Sequence, residues 1–227
     1  MARPITGMPQ GVAKQSSRTW ILYHLPGARS SKIVWLLKEL ELQAEIVQFE
    51  SLRDVRTRQG YETISPLRKI PVLVTQYGPM LESVAIQEFI ISTNGKGRLR
   101  PAVDSPQLQK YLQWIHFAEP SLAAHISIYK RARAAQEQPG QDKVADHAAK
   151  QIRAGLAVIE AALTEHRQPY ILGREFSAAD ISLVHGLRAA QGEGLLKDFP
   201  LTDAYMETLK ARPMYQESYV PYPAPTS

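Results

Sequence analysis

Residues 65–89, SPLRKIPVLVTQYGPMLESVAIQEF, constrain the fold most because the hydrophobic period changes within them. Pro71 opens an apolar run, and since proline cannot donate to a β ladder, it belongs at the start or the edge of a strand. Residues 77–79 predict a turn, and residues 80–81 a short second strand. From residue 85 the apolar spacing becomes helical. The stretch therefore predicts strand, turn, strand and helix in close succession.

A carboxylate and a hydroxyl, Glu82 and Ser83, stand where the second strand gives way to the helix. Ser83 is predicted to be the N-cap of that helix. A carboxylate attracts an ammonium group, and the N–H groups of a helix start attract an anion. Such a corner can hold both ends of a zwitterionic peptide. The alternative, on these residues alone, is an ordinary hairpin followed by a capped helix.

The residues before this stretch alternate between strand and helix signals. Apolar runs at residues 20–23 and 44–49 predict strands, and a helical face of Ile33, Leu36 and Leu37 lies between them. Residues 50–64 predict a short helix and a loop. With the hairpin, the order is β-α-β-α-β-β-α, which predicts a mixed four-stranded sheet with helices packed on it.

Strand signals nearly vanish after Pro106. Long helices are predicted over residues 107–135, with a bend at Pro120, and over residues 142–166. Ser177 and Asp180 resemble a capping box that opens a further helix, and we assign them a structural role. The predicted fold class is therefore α/β plus all-α. The predicted parts are a flexible arm (1–18), a mixed α/β domain (19–95), a linker (96–105), an all-helical domain (106–216) and a loose tail (217–227).

Composition excludes several classes of function. The chain has no cysteine, which excludes disulfides, cysteine-based metal sites and a protein cysteine nucleophile, and we expect no metal. Lysine and arginine exceed aspartate and glutamate by 27 − 22 = 5, but the excess is scattered and no nucleic-acid footprint is indicated. Apolar runs are shorter than the roughly eighteen residues that predict a membrane span, so no membrane association is expected.

Three segments at matching spacing resemble the cytosolic glutathione S-transferase superfamily, of a bacterial or fungal theta- or beta-like type. SPLRKIPVL and ESVAI are similar to the segment around its cis-proline and to its Glu/Gln-Ser-x-Ala-Ile signature. FSAADISL is similar to its capping-box helix, and ILYHLPGARSSKIVWLLKELEL to its first strand, catalytic loop and first helix. The resemblance covers about residues 19–215 and implies a thioredoxin-like N-terminal domain and an all-helical C-terminal domain.

The resemblance implies glutathione as co-substrate, bound by six residues. They are Lys69, Ile70, Pro71, Val72, Glu82 and Ser83. Pro71 corresponds to the cis-proline, and the Val72 backbone would pair with the cysteinyl amide, a short form of β-augmentation. Lys69 would approach the glycine carboxylate, while Glu82 and Ser83 would take the γ-glutamyl amine and carboxylate.

Thiol activation is predicted to depend on the loop after the first strand. By the resemblance, Ala28 and Arg29 occupy positions where relatives carry a catalytic serine or cysteine, so the family pattern is broken here. Ser30 is the preferred catalytic residue and Ser31 the next, with helix capping as the alternative for both. Tyr23 lies where tyrosine-type members carry their phenol, although it can also belong to the core. Arg29 can stabilise a thiolate by its charge.

A second-substrate pocket is expected along the helix of residues 107–135. The candidate wall residues are Trp114, Phe117, His125, Tyr129 and Arg133, with a place in the core as the alternative for the aromatic ones. The positive charge around Arg133 can favour an acidic co-substrate, but it can equally complement the C-terminal end of the helix dipole.

The resemblance implies a cytoplasmic, homodimeric detoxification enzyme. Glutathione thiolate would attack an electrophilic, largely apolar small molecule. One alternative is a specialised glutathione-dependent pathway enzyme for ether cleavage, dehalogenation, isomerisation or biosynthetic conjugation. Another is a non-catalytic glutathione-binding or interaction module, since a fold alone does not fix a function.

Overall fold

The structure is a computed structural model that describes residues 20–135 and 137–219. The predicted arm of residues 1–18 and nearly all of the predicted tail lie outside these residues. The described chain forms two compact units, residues 20–90 with 217–219 and the described part of residues 91–216. Among the residues that the structure describes, every helix is too short or too polar to cross a membrane.

The first unit contains the predicted mixed four-stranded sheet. Its elements are β1 (Trp20–His24), α1 (Ser30–Glu39), β2 (Ala44–Gln48), α2 (Leu52–Thr57), a 3-10 turn (Tyr61–Thr63), β3 (Val72–Thr75), β4 (Gly78–Met80) and the greater part of α3 (Ser83–Asn94). The strand order is β2-β1-β3-β4. β1 is parallel to β2 and antiparallel to β3, and β4 is antiparallel to β3. This is the thioredoxin-like arrangement that the resemblance implies.

The hairpin differs from the prediction in two details. β4 begins at Gly78, earlier than expected, and Pro79 lies inside it. β4 is an edge strand, so one of its sides needs no ladder donor and the proline is tolerated there. The prediction of Ser83 as N-cap is wrong by one residue, because the Glu82 carbonyl already accepts the Ile86 N–H at 2.9 Å and α3 begins at Ser83.

The second unit is helical, as predicted. After the end of α3 it contains α4 (Leu108–Phe117), a π-helical segment (Ala118–Ala123), α5 (Ala124–Ala134), α6 (Gln141–His166), α7 (Ala178–Gly192), α8 (Pro200–Lys210) and the greater part of α9 (Pro213–Ser218). The predicted helix of residues 107–135 is therefore two α-helices joined by a wider turn that contains Pro120. A π-helical turn has i+5 bonding, which accommodates a residue without an N–H.

The predicted capping box at the start of α7 is confirmed. The fully buried Asp180 carboxylate accepts the Ser177 N–H at 2.8 Å and the Ser177 hydroxyl at 3.0 Å. It also accepts the Ile171 N–H at 2.9 Å and the Tyr205 hydroxyl at 2.6 Å. One carboxylate thus fixes the α6–α7 loop, the start of α7 and a side chain of α8.

Candidate functional site

The sheet register brings three separated segments to one edge of the first unit. Tyr23, next to the end of β1, is paired with Val72, the first residue of β3. The β3–β4 register pairs Leu73 with Met80, so Pro71 lies two residues before this pair on one strand and Glu82 two residues after it on the other. The loop of residues 25–29, the Pro71 segment and the start of α3 therefore meet at the same edge.

The Pro71 segment immediately precedes the ladder between β3 and β4. The Ile70–Pro71 peptide bond is cis. Val72 is in register with Tyr23 on one side, whereas the ladder to β4 begins only at Leu73. A short extended ligand can continue the sheet at this position by main-chain hydrogen bonds.

Two hydroxyls hold the backbone just before this segment. The Tyr61 hydroxyl donates to the Lys69 carbonyl at 2.7 Å, and the buried Ser65 hydroxyl donates to the same carbonyl at 3.0 Å. The Lys69 N–H donates back to the Ser65 Oγ at 3.0 Å. Burial, the largest influence, raises the pKa of Tyr61 to about 12, so the phenol stays a neutral donor. The Lys69 side chain is exposed and free to reach an anion.

Two residues with left-handed backbone flank the segment. Arg68 has φ +47° and Glu82 has φ +68°. Non-glycine residues adopt this region at a cost, and such residues concentrate at functional sites. The Glu82 side chain is exposed, whereas Ser83 is buried with 6% exposure. The carboxylate and the hydroxyl thus differ in access although they are adjacent.

The Ser30 hydroxyl is fully buried and bonds within its own loop. It accepts the Leu25 N–H at 3.0 Å and donates to the Leu25 carbonyl at 3.1 Å. It is also hydrogen-bonded to His24 Nδ1 at 2.9 Å. Burial lowers the pKa of His24 from 6.5 to about 4, so this imidazole is neutral at pH 7. Ser30 thus joins the end of β1 to the start of α1.

Ser31 and Arg29 differ in access. The buried Ser31 hydroxyl accepts the Gly27 N–H at 2.9 Å, so it too stabilises the loop. Arg29 occupies the N-cap position of α1 and is partly exposed. A guanidinium at the positive end of a helix is an environment that stabilises a thiolate.

Tyr23 belongs to an aromatic cluster below the loop. Its ring centroid lies 5.4 Å from that of Tyr61 and 6.1 Å from that of Phe49. Burial raises the pKa of Tyr23, Glu45 adds to the rise and Arg58 opposes it. A phenol whose pKa is raised gives up its proton less readily, which disfavours a phenolate role.

The five expected second-substrate residues fall into two groups within the second unit. Trp114 is buried and packs edge-to-face against the partly exposed Phe117, with ring centroids 5.2 Å apart. His125, Tyr129 and Arg133 lie four residues apart on α5 and therefore share one face. His125 and Tyr129 are partly exposed and Arg133 is exposed.

The sequence pattern does not predict the hydrogen bonds that Tyr61, Ser65 and His24 form. Tyr61 and Ser65 bond the Lys69 backbone, and His24 bonds the Ser30 hydroxyl. The pattern SPLRK contains Ser65, but a loop serine has many candidate partners. The structure alone shows which carbonyl it reaches.

Comparison with known proteins gives two family matches. The model for the N-terminal domain of glutathione S-transferase matches residues 18–92, and a model for the C-terminal domain matches residues 123–217. Glutathione S-transferase 3 of Schizosaccharomyces pombe is 30% identical over 207 residues, which are 85% of this chain and 84% of the relative. Maleylacetoacetate isomerase of Mus musculus is 25% identical over 178 residues, covering 77% and 80%.

Solved structures show the same fold. Glutathione S-transferase III in its apo form superposes with a TM-score of 0.71 at 26% identity, covering 92% of this chain and 100% of that one. A glutathione transferase family member of Pseudomonas fluorescens Pf-5, solved with two glutathione bound, gives 0.77 at 20% identity, covering 88% and 92%. The second likeness concerns the fold alone.

Proposed function

Since the chain belongs to the glutathione S-transferase family, we propose that it binds glutathione where β1, β3 and α3 meet. In this proposal the enzyme promotes attack of the glutathione thiolate on an electrophilic, largely apolar small molecule. The observation that supports the proposal is the register, which pairs Val72 with Tyr23 near the end of β1 and Leu73 with Met80 shortly before Glu82. The Val72 backbone would pair with the cysteinyl amide, Glu82 would attract the ammonium group, and the start of α1 would stabilise the thiolate.

In the proposed complex, the ligand backbone extends the sheet at Val72. Pairing with the cysteinyl amide orients the peptide, and Ile70 and Pro71 shape the wall beside it. The exposed Lys69 attracts the glycine carboxylate and the exposed Glu82 the γ-glutamyl ammonium. The γ-glutamyl carboxylate lies at the start of α3, where Ser83 and the helix N–H groups are donors.

We assign thiol activation to Arg29 and to the N-terminus of α1. Ser30 and Ser31 then act by holding the loop, because both hydroxyls are fully buried and bonded to loop backbone. Tyr23 supports the loop from below. A guanidinium and a helix start lower a thiol pKa by favouring the charged form.

Of the two groups of candidate residues for binding the electrophile, we favour the group on α5. His125 and Tyr129 are partly exposed there and Arg133 is exposed, whereas Trp114 is buried against Phe117. A cytoplasmic homodimer that acts in detoxification remains a proposal from the family alone.

A specialised pathway enzyme is the second candidate function. Ala28 and Arg29 stand where the resemblance aligns catalytic serine or cysteine, so generic conjugation lacks its usual side chain. One relative is named as a maleylacetoacetate isomerase, a name that favours isomerisation among the specialised reactions. A panel of electrophiles and of isomerisable substrates distinguishes the two.

Calorimetric titration with glutathione tests the binding site. We expect Glu82→Gln to weaken binding about tenfold, because a charge-assisted bond to the ammonium becomes a neutral one. Glu45→Gln is the matched control, since Glu45 is an exposed glutamate on β2, away from β3. Undetectable glutathione binding by the wild type, or equal loss in both variants, would contradict the proposed site.

A further inference from the structure

A cavity of about 550 Å³ lies within the second unit, and its lining contains none of the residues assigned to glutathione. Its walls come from the α3–α4 loop (residues 95–107) and the α6–α7 loop (residues 167–177), with His166 at the end of α6. This volume is within the range of small-molecule sites, which span about 300–1,000 Å³.

One backbone hydrogen bond joins the α3–α4 loop to the start of α7, and the His166 side chain holds the α6–α7 loop, so the cavity is preformed. The Ala178 N–H donates to the Leu99 carbonyl at 2.8 Å. His166 Nδ1 accepts the Gln168 N–H at 3.0 Å, which leaves Nε2–H to donate to the Ile171 carbonyl at 3.3 Å. Ile171 is in turn held by Asp180. A ligand that enters here pays little ordering entropy.

The loops are basic. Together they contain five cations (Lys96, Arg98, Arg100, Arg167 and Arg174) and two carboxylates (Asp104 and Glu175), a net charge of 5 − 2 = +3. Arg100 and Arg174 line the cavity itself, and the only carboxylate among the described lining residues is Glu175. The local field therefore favours an anion.

The lining combines guanidinium groups with an apolar wall. The Arg100 guanidinium donates to the Ser92 hydroxyl at 3.2 Å and lies 5.8 Å from the Tyr111 ring centroid, which limits its movement. Arg174 is exposed at the tip of its loop. Leu172 and Phe176 provide apolar surface, and the outer side of Phe176 is covered by Arg212 at 3.6 Å.

We propose that this cavity is a second binding site, specific for a small phosphate monoester with an apolar or aromatic body. The two guanidiniums in the lining, on loops whose net charge is +3, favour a doubly charged head, and arginine pairs with phosphate bidentately. Gln107 and Gln168 add neutral donors, and Leu172 and Phe176 contact the body. The site does not depend on bound glutathione, so it can be tested independently of the function proposed above.

Two-dimensional amide NMR of the full chain, saturated with glutathione, tests the site with 1-naphthyl phosphate as probe. We expect saturable shifts at Gly97 and Gly173, which line the cavity, and none at Gly60 or Gly78 in the first unit. Arg174→Gln should weaken the probe about tenfold or more. Arg153→Gln is the control, because Arg153 is a surface arginine on α6 outside the cavity lining.

Three probes separate the sources of binding. Inorganic phosphate and 2-naphthoate should each bind at least tenfold more weakly than 1-naphthyl phosphate, and 1-naphthol should leave both glycine amides unshifted. Equal binding of 2-naphthoate would overturn the choice of a phosphate head. Absent shifts at Gly97 and Gly173, or an equal effect of Arg174→Gln and Arg153→Gln, would overturn the site. Arg100→Lys gives a second variant that keeps the charge and loses the bidentate geometry.

Discussion

At the residue scale, one buried hydroxyl determines the shape of the loop that we assign to thiol activation. Ser30 bonds both backbone groups of Leu25 and the imidazole of His24, so strand end, loop and helix start are held by a single side chain. Arg29 precedes it and is partly exposed. The backbone that carries the Arg29 guanidinium is therefore held in place by the buried hydrogen bonds of Ser30.

The His24–Ser30 pair predicts a pH dependence of stability. The pKa of His24 is about 4 in the folded state against 6.5 in the unfolded state. Between these values the unfolded chain binds more protons, so stability falls as pH drops through this window, by about 3 kcal/mol at most. Urea unfolding from pH 7 to pH 4 measures it.

His24→Asn is the matched variant for this pH series. An asparagine amide can keep the bond to Ser30 but does not titrate. We expect the difference in unfolding free energy between wild type and variant to change by about 3 kcal/mol across the window. Parallel curves would show that His24 does not carry the dependence.

The sequence could predict the residue types of the site but not their burial. Lys69, Glu82 and Arg29 are charged, and charged side chains usually stay accessible, which the structure shows for all three in differing degree. Ser30 and Ser31 are ambiguous, because a serine at a helix start can face a ligand or bond its own loop. The choice depends on tertiary packing of α1 against the sheet.

At the element scale, the π-helical segment packs closely against two helices through glycines. A Cβ on Gly155 of α6 would lie 3.0 Å from the Ser121 carbonyl oxygen, and one on Gly186 of α7 would lie 2.8 Å from the Leu122 side chain. Leu122 is fully buried. The absence of side chains at both glycines allows the proline-containing turn to occupy the core.

Gly186→Ala should therefore destabilise the protein by about 1–3 kcal/mol, the usual range for overpacking. Gly192→Ala is the control, because a Cβ there meets nothing within 4 Å at the end of the same helix. We expect the control to be neutral or slightly stabilising, since alanine favours helix. Thermal unfolding compares them, and an equal effect of the two substitutions would contradict the packing argument.

Asp180→Ala should lower stability by about 3 kcal/mol or more, because it leaves buried donors of Ser177, Ile171 and Tyr205 without their acceptor. Glutathione affinity should be unchanged at a temperature where the variant is folded. Melting temperature and calorimetric titration separate the two effects. A folded variant with lost affinity would refute the purely structural role.

At the scale of the whole molecule, periodicity predicted the order of elements well. Alternation of strand and helix signals before Pro106 gave the mixed sheet, and the loss of strand signals after it gave the helical unit. The limits of β4 and the interruption at Pro120 could not be predicted as closely. The edge position of β4 and the π-helical turn at Pro120 depend on tertiary packing, and the local sequence pattern does not contain that information.

We propose that Arg29 and the start of α1 lower the pKa of the thiol of bound glutathione. The ultraviolet absorbance of the glutathione thiolate in the complex, followed over pH, measures the pKa of this thiol directly. We expect a thiol pKa at least about one unit below the free value of roughly 8.5, and a return toward that value in Arg29→Gln. Tight binding with an unshifted pKa would contradict the claim and favour a non-catalytic glutathione-binding protein.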